Sequence, residues 1–266
     1  MSGFPVTVGG DGAVAAERHG HVLLVTINRP QARNAVNGPV TVGVGEALEH
    51  AEQDPEVRVV VLTGAGDRAF CAGLDLKEGP GTDPRAARWG FAGYVAHAIS
   101  KPTIAAVNGF ALGGGTELVL ASDLAVAVET ATFGLPEVAR GIVAGAGGAF
   151  RLPRQIPQKV AMEAVLTGRP LTAQRALELG LVNRVVPAEE LLPATFALAA
   201  EIAANAPLAV QAGKRMARGI DDGHVPAEDA DWARTRREAA AVLATDDARE
   251  GMRAFAEKRP PRWQGR

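Results

Sequence analysis

Two glutamates are the residues best placed to do chemistry in this chain. Glu117 follows three consecutive glycines, Gly113–Gly115, at the start of an apolar segment, and Glu137 comes after the next predicted strand. Two carboxyl groups that face one water molecule can act together as a general base and a general acid. The alternative is structural: one acid at the positive end of a helix dipole, and the other in a turn.

The glycine run favours the chemical interpretation. Glycine in a regular element costs roughly 0.5–1 kcal/mol per residue, so three in succession need a backbone reason. One such reason is a row of free N–H groups at a helix start, which can receive an anion or a polarised carbonyl oxygen. The segment "AFCAGLDLKE", residues 69–78, also places small residues before Leu74, whose N–H could point into the same pocket. Its structural alternative is a tight loop between a strand and a helix.

Composition argues against several other classes of function. The chain has 266 residues, of which 47% are hydrophobic and 22% charged, and its formal net charge is −2. This charge gives no basic surplus for nucleic acid or an acidic membrane surface. The single cysteine, Cys71, allows neither an intrachain disulfide framework nor a multi-cysteine metal site. With no signal peptide pattern and no membrane-length apolar run, we expect a cytoplasmic protein without a membrane, nucleic-acid or metal partner.

Three competing site motifs are weak. The segment 64–69 fits G-x-G-x-x-A after a strand, but no amphipathic helix pattern follows, so a surface turn is favoured over dinucleotide binding. None of the three serines lies in G-x-S-x-G, which argues against a serine hydrolase. Cys71 has no histidine near it in the sequence, and we interpret it as a small buried core residue.

Periodicity predicts an α/β protein. It indicates a β-hairpin ending near Ile27, a helix from Asn37 to His50, and further strands alternating with helices, the order of a core with parallel strands. We expect residues 1–12 to be loose and residues 83–100 to form a helix. Beyond residue 157 nearly all patterns are helical. We divide the chain into an α/β core, residues 1–200, and a helical C-terminal part, residues 201–266.

Six segments in order, from about residue 15 to residue 263, resemble the crotonase superfamily of enoyl-CoA hydratases and isomerases. Both glutamates expected of a hydratase are present, and the end of the chain is also similar to carnitinyl-CoA dehydratase-like members. The six segments are "NRPQARNAV", "AFCAGLDLKE", "PTIAAVNGFALGGGTEL", "FGLPEVARGIVAGAGGAFRL", "LTGRPLTAQRALELGLVNRVV" and "AFAEKRPPRW".

The resemblance implies a core of repeated ββα turns, a helical trimerisation part and a homotrimer or homohexamer. It implies an acyl-CoA substrate with no separate cofactor, because coenzyme A is part of that substrate. The N–H groups of Leu74 and Gly114 match the oxyanion hole, Glu117 and Glu137 match the catalytic acids, and Gly145 matches the residue that helps hold water. The positions that match acyl-CoA contacts are Arg29, Ala32, Ala72, Leu74, Asp75, Leu76, Lys77 and Lys258.

The sequence departs from the best-known hydratases at two of these places. Leu74 stands where they have alanine, which keeps the N–H but crowds the acyl pocket differently, and Ala144 stands where they often have proline. In the segment "AFAEKRPP" we expect Phe255 to anchor on a neighbouring subunit. Lys258 and Arg259 are expected to be free to reach the phosphates of its coenzyme A.

The leading functional hypothesis is hydration of a trans-2-enoyl-CoA, or the reverse dehydration. An isomerase needs only one base and can leave the second position apolar, so the two glutamates favour a hydratase. A carnitinyl-CoA dehydratase-like activity stays open. So does a non-catalytic acyl-CoA-binding subunit, although an unused buried carboxylate pair would cost stability.

Overall fold

Two β-sheets form the frame of the protein in the computed structural model, which describes residues 3–266. The strands are β1 Phe4–Val6, β2 Val14–His19, β3 Val22–Ile27, β4 Val59–Gly64, β5 Ala69–Cys71, β6 Thr103–Val107, β7 Phe110–Leu112, β8 Leu124–Val128, β9 Thr132–Gly134, β10 Leu171–Thr172 and β11 Arg184–Val186. The helices are α1 Gly38–Gln53, α2 Ala86–Trp89, α3 Gly114–Ala121, α4 Gly148–Gln155, α5 Gln158–Thr167, α6 Ala173–Glu178, α7 Leu191–Ala203, α8 Pro207–Arg218, α9 Asp229–Leu243 and α10 Asp246–Ala256.

The larger sheet has seven strands in the order β1-β2-β3-β4-β6-β8-β11, and the smaller has four in the order β10-β9-β7-β5. In the larger sheet β1, β2 and β3 are antiparallel and the other pairs parallel; in the smaller only β10 is antiparallel. Three consecutive pairs, β4–β5, β6–β7 and β8–β9, each give one strand to each sheet before a helix or helical turn follows. These are the ββα turns that the sequence resemblance implies, and the α/β class is confirmed.

The local sequence explains the framework elements. All six residues of β4 are buried, as expected of a β-branched run in a parallel sheet covered on both faces. Helix α1 begins where predicted, because the Asn37 side chain accepts the Val40 N–H and Pro39 occupies the first turn. Its inner face buries small and branched residues against the larger sheet.

Helix α7 packs against β3, β4, β6 and β8, which places it with the core. Helix α8 buries none of its residues, whereas α10 packs against the 3₁₀ turn Pro136–Arg140.

After α10 the chain runs back along the helix. The Arg266 carbonyl oxygen accepts the N–H groups of Asp246 and Asp247 at the helix start. In residues 3–266 no single helix is long and apolar enough to span a membrane. Residues 188–203, which include α7, and helix α8 together have the length and composition of a membrane span, but the pair is bent by 102°.

Two sequence predictions are wrong. The helix expected over residues 83–100 is only the short α2 and one 3₁₀ turn, because Gly90, Ala92 and Gly93 adopt positive φ angles of 74°, 58° and 68°. A left-handed residue cannot continue a right-handed helix. Within the N-terminal stretch expected to be loose, residues 4–6 form β1 and pair with β2; Met1 and Ser2 lie outside the described residues.

Two helical glycines predict stability changes of opposite sign. A Cβ on Gly251 would lie 2.1 Å from the Arg140 carbonyl oxygen, whereas a Cβ on Gly213 of α8 would meet no atom of the described residues within 4 Å. We expect Gly251→Ala to lower the free energy of unfolding by about 1–3 kcal/mol through overpacking. Gly213→Ala should raise it by roughly 0.5–1 kcal/mol. Urea denaturation followed by circular dichroism measures both, and shifts of the same sign would contradict this packing of α10.

Candidate active site

Three neighbouring strands of the smaller sheet deliver the candidate residues. Strands β5, β7 and β9 are parallel and adjacent, so their carboxyl ends lie side by side. Leu74 follows β5, Gly114 and Glu117 follow β7 at the start of α3, and Glu137 follows β9 in the 3₁₀ turn. Ligand sites in parallel sheets form at this edge. The structure therefore brings together three segments that lie far apart in the sequence.

The glycines allow two backbone segments to touch. A Cβ on Gly115 would lie only 2.0 Å from the Cys71 carbonyl oxygen, and one on Gly73 would lie 3.3 Å from the Gly114 nitrogen. Gly113 has φ 57° and ψ −123°, a conformation open to glycine but strained for other residues. The loop after β5 thus lies directly on the first turn of α3.

This contact places two candidate donors near each other. Among the described residues, the N–H groups of Leu74 and Gly114 donate to no backbone or side-chain acceptor. Gly114 is the first residue of α3, where N–H groups have no partner within the helix. Two free N–H groups on adjoining segments can receive one oxygen atom of a ligand.

The Glu117 side chain is buried, with 3% exposure, and held in a fixed position. Its Oε1 accepts the N–H of Ala146 at 2.7 Å and of Gly148 at 2.8 Å, at the start of α4. A Cβ on Gly148 would lie 3.0 Å from the same oxygen, so a larger residue there would press on the Glu117 carboxylate. Neither donor is predicted from the sequence, although the glycine-rich segment 145–148 is a possible signal. Gly145 itself is exposed and lies next to them.

Glu137 lies against the same glycine turn. Its Oε1 is 2.9 Å from the position that a Cβ on Gly113 would occupy, and its buried Oε2 has no hydrogen-bond partner among the described residues. A buried polar atom without a partner costs free energy and is typical of functional sites. One glutamate therefore lies in the first turn of α3, and the other lies against the glycine that precedes it.

Burial dominates the electrostatics of the pair. Burial and the charge of Glu137 together raise the pKa of Glu117 to about 7, although the two N–H donors oppose the shift. Burial also raises the pKa of Glu137 to about 7, against the opposing influence of Arg140. Because both pKa values lie near neutral pH, one carboxyl group can be protonated while the other is ionised. Such a pair can accept one proton and supply another.

The other residues matched to acyl-CoA contacts fall into two groups. Arg29 is buried, and its guanidinium donates to Asp75 at 2.9 Å and Glu78 at 2.8 Å, so the Arg29 and Asp75 side chains bind each other inside the protein. The remaining five lie at or near the surface; Ala32 and Ala72 are half-buried beside the loop after β5, Leu76 and Lys77 are exposed on it, and Lys258 follows α10.

The prediction that Arg259 is free to reach the phosphates of coenzyme A on a neighbouring subunit is wrong. Its guanidinium binds both oxygens of Glu250 and also Glu257, so it is not free to reach a phosphate. The half-exposed ring of Phe255 lies 3.6 Å from the Arg140 guanidinium of the same chain, so it already has an intrachain partner beside the Glu137 turn.

The competing motifs are resolved structurally. Segment 64–69 leads into β5 rather than a helix, which contradicts dinucleotide binding. Burial raises the pKa of the Cys71 thiol to about 12, so it is a buried core residue rather than a nucleophile. Among residues 3–266 no cluster of three His, Cys, Asp or Glu side chains has metal-binding geometry.

Comparisons with known proteins identify the family of the chain. The family model described as enoyl-CoA hydratase/isomerase matches residues 17–266. A carnitinyl-CoA dehydratase of Salmonella paratyphi A is 43% identical over 256 residues, which cover 94% of this chain and 97% of the relative.

Two solved structures extend the comparison. A carnitinyl-CoA dehydratase from Mycobacterium avium 104 is 61% identical, with 96% of this chain and 99% of that chain covered and a TM-score of 0.93. An enoyl-CoA hydratase from Mycobacterium tuberculosis H37Rv is 45% identical, with 96% and 100% covered and a TM-score of 0.75. The chain therefore belongs to the enoyl-CoA hydratase/isomerase family, the crotonase superfamily, and is a hydro-lyase that acts on a coenzyme A thioester.

Proposed function

We propose that the protein reversibly adds water across the C2–C3 double bond of a trans-2-enoyl-CoA. The observation that carries this proposal is the pairing of buried Glu117 and half-buried Glu137 with two free N–H groups, one in the loop after β5 and one at the start of α3. Hydration of an enoyl thioester needs a group to activate water, a group to protonate C2, and a place for negative charge on the thioester oxygen. The site brings all three together at one edge of the smaller sheet.

The thioester oxygen binds the N–H groups of Leu74 and Gly114. When hydroxide adds to C3, electrons move through C2 and the carbonyl, and the oxygen becomes an enolate oxyanion. The two N–H groups and the positive end of the α3 dipole stabilise that charge. Removal of one oxyanion donor typically costs on the order of 100–1,000-fold in rate.

The two glutamates divide the protons. Glu117 acts in its ionised form, which the N–H donors of Ala146 and Gly148 support against the effect of burial, and takes a proton from water. Glu137 has an unpartnered oxygen and holds a proton, which it delivers to C2. Both hydrogens of water are then accounted for, and the exposed Gly145 borders the water position. In the reverse direction the roles exchange.

Carnitinyl-CoA dehydration is the second candidate, because relatives with that printed name match nearly the whole chain. It is the same reaction run in reverse on a 3-hydroxyacyl-CoA. Assays of crotonyl-CoA, longer 2-enoyl-CoAs and carnitinyl-CoA, compared by kcat/KM, decide between the candidates. Double-bond isomerisation requires only one base, so two glutamates support it less well.

The coenzyme A is proposed to contact Ala32, Ala72, Leu76, Lys77 and Lys258.

Replacing either glutamate should remove most of the hydration. Glu117→Gln and Glu137→Gln each keep the side-chain shape and should each lower kcat by about 100-fold or more, the usual contribution of a general acid or base. The double variant should be far more active than the product of the two single effects predicts, because the pair acts as a unit. Loss of the ultraviolet enoyl-thioester band on mixing with crotonyl-CoA measures the rate.

The exposed Glu129 provides the matched control. Glu129→Gln should hydrate crotonyl-CoA at the wild-type rate. Near-full activity in either Glu117→Gln or Glu137→Gln, on a substrate that the wild type hydrates well, would contradict the assignment.

The raised pKa of Glu117 also predicts pH-dependent stability. The folded protein keeps this proton up to about pH 7, whereas the unfolded chain releases it near the ordinary value of 4.5. The folded state binds more protons in that window, so the free energy of unfolding falls as the pH rises from 5 to 8. Glu117→Gln should reduce this fall by on the order of 1–3 kcal/mol.

Urea denaturation at pH 5 and pH 8 measures the effect, with Glu163→Gln, an exposed position on α5, as the charge control. An equal pH dependence in wild type and Glu117→Gln would show that Glu117 titrates normally in the folded protein.

We further propose assembly as a homotrimer or homohexamer. Helix α8 leaves Leu208 78% and Met216 84% exposed, and such side chains on an unburied helix favour a subunit contact. Light scattering should give the mass of three or six chains. Leu208→Glu with Met216→Glu should lower that mass, whereas Gln53→Glu at an exposed polar position should not. A monomeric wild type would refute the proposal.

A further inference from the structure

We propose that Arg29 is a positioning residue that aims the Leu74 N–H into the oxyanion hole through two intervening peptide groups. The inference rests on the proposed function in one respect, the role of Leu74 as an oxyanion donor. It gives Arg29 a different role from the coenzyme A contact that the sequence resemblance implies. Three connected steps carry it.

The first step links Arg29 to the segment before α1. Arg29 Nη1 donates to the Ala35 carbonyl oxygen at 2.7 Å. That carbonyl and the Val36 N–H belong to the same planar peptide group, so they point in opposite directions. By fixing the carbonyl, Arg29 fixes the direction of the Val36 N–H.

The second step links this segment to the oxyanion hole. The Val36 N–H donates to the Gly73 carbonyl oxygen at 2.8 Å. The Gly73 carbonyl shares its peptide group with the Leu74 N–H, which therefore points away from Val36. A guanidinium, two peptide groups and the free Leu74 N–H thus form one hydrogen-bonded chain. Hydrogen bonds in such a chain polarise and strengthen one another.

The third step secures the far side of Leu74. The Asp75 N–H donates to the Val36 carbonyl oxygen at 2.8 Å, and Arg29 Nη1 also binds Asp75 Oδ2 at 2.9 Å. Asp75 Oδ1 in turn accepts the Lys77 N–H at 3.0 Å and closes the loop. Leu74 is therefore held between two residues that both depend on the same guanidinium.

Burial and charge support an internal role for Arg29. Its side chain is 10% exposed and lies between two carboxylates, Asp75 and Glu78, so it offers no net positive charge to a phosphate. Glu78 is itself bound by Asn37, the capping residue of α1. Arginine suits this position because its planar fork binds several acceptors in fixed directions, which a lysine ammonium cannot do.

Arg29→Lys tests the proposal with three readouts on the intact protein. We expect kcat for crotonyl-CoA to fall by roughly tenfold or more, since a misaligned oxyanion donor loses part of its 100–1,000-fold effect. KM should change less than twofold. The absorption band of a bound conjugated dienoyl-CoA, which shifts to longer wavelength when the thioester carbonyl is polarised, should shift less than in wild type.

Asp75→Asn, which weakens the same link from the other end, should change kcat and the spectrum in the same direction. Arg58→Lys is the matched control. Arg58 also donates from a guanidinium to a backbone carbonyl, that of Ala203 at the end of α7. It should leave kcat and the spectral shift at their wild-type values. Rates are normalised to the folded fraction measured by circular dichroism.

Three outcomes overturn the proposal: an unchanged kcat and spectrum in Arg29→Lys; a raised KM and weaker binding of free coenzyme A at constant kcat; or a kcat loss explained by the unfolded fraction alone. If Arg29→Lys does not fold, the same readouts on Asp75→Asn decide. The wild-type protein could shift the dienoyl-CoA spectrum and yet hydrate no 2-enoyl-CoA. This result would refute the proposed function, and the spectral shift of Arg29→Lys would then be the test of the role of Arg29.

Discussion

The close approach of two backbone segments, the loop after β5 and the first turn of α3, is the constraint on which the site depends. At Gly115 a single added carbon would stand 2.0 Å from the Cys71 carbonyl oxygen. Without that approach, the free N–H groups of Leu74 and Gly114 would not lie on adjoining segments. The approach is possible because β5 and β7 are parallel neighbours whose ends are held level by the sheet. Glycine at position 115 is therefore required both for packing at this edge of the sheet and for the proposed pair of oxyanion donors.

The glutamate pair shows how the fold tolerates a costly arrangement. Burying two acids raises both pKa values and leaves one oxygen of Glu137 without a partner. The N–H groups at the start of α4 offset part of that cost for Glu117, and α10 packs behind the turn that carries Glu137. The fully buried strands of the larger sheet stabilise the fold, and this stability offsets the free-energy cost of burying the two acids.

Local signals predicted much of the framework. The Asn37 cap and the β-branched run of β4 each depend on residues close in sequence, and both elements form where expected. The helix expected over residues 83–100 failed because three residues near position 91 take left-handed conformations, which helix periodicity does not reveal. The family resemblance pointed to Leu74, Gly114 and both glutamates. The N–H donors to Glu117 and the partners of Arg29 are long-range contacts, visible only once the chain is folded.

The delivery of each site group by a different ββα turn has a consequence for how activities diversify. In the proposed mechanism, Leu74 after β5 supplies one oxyanion donor, Gly114 and Glu117 after β7 supply the other donor and one acid, and Glu137 after β9 supplies the second acid. A substitution in the last turn can therefore alter proton handling while the enolate-stabilising groups keep their positions. On this proposed assignment, a single residue can change the fate of the enolate's proton without a new architecture.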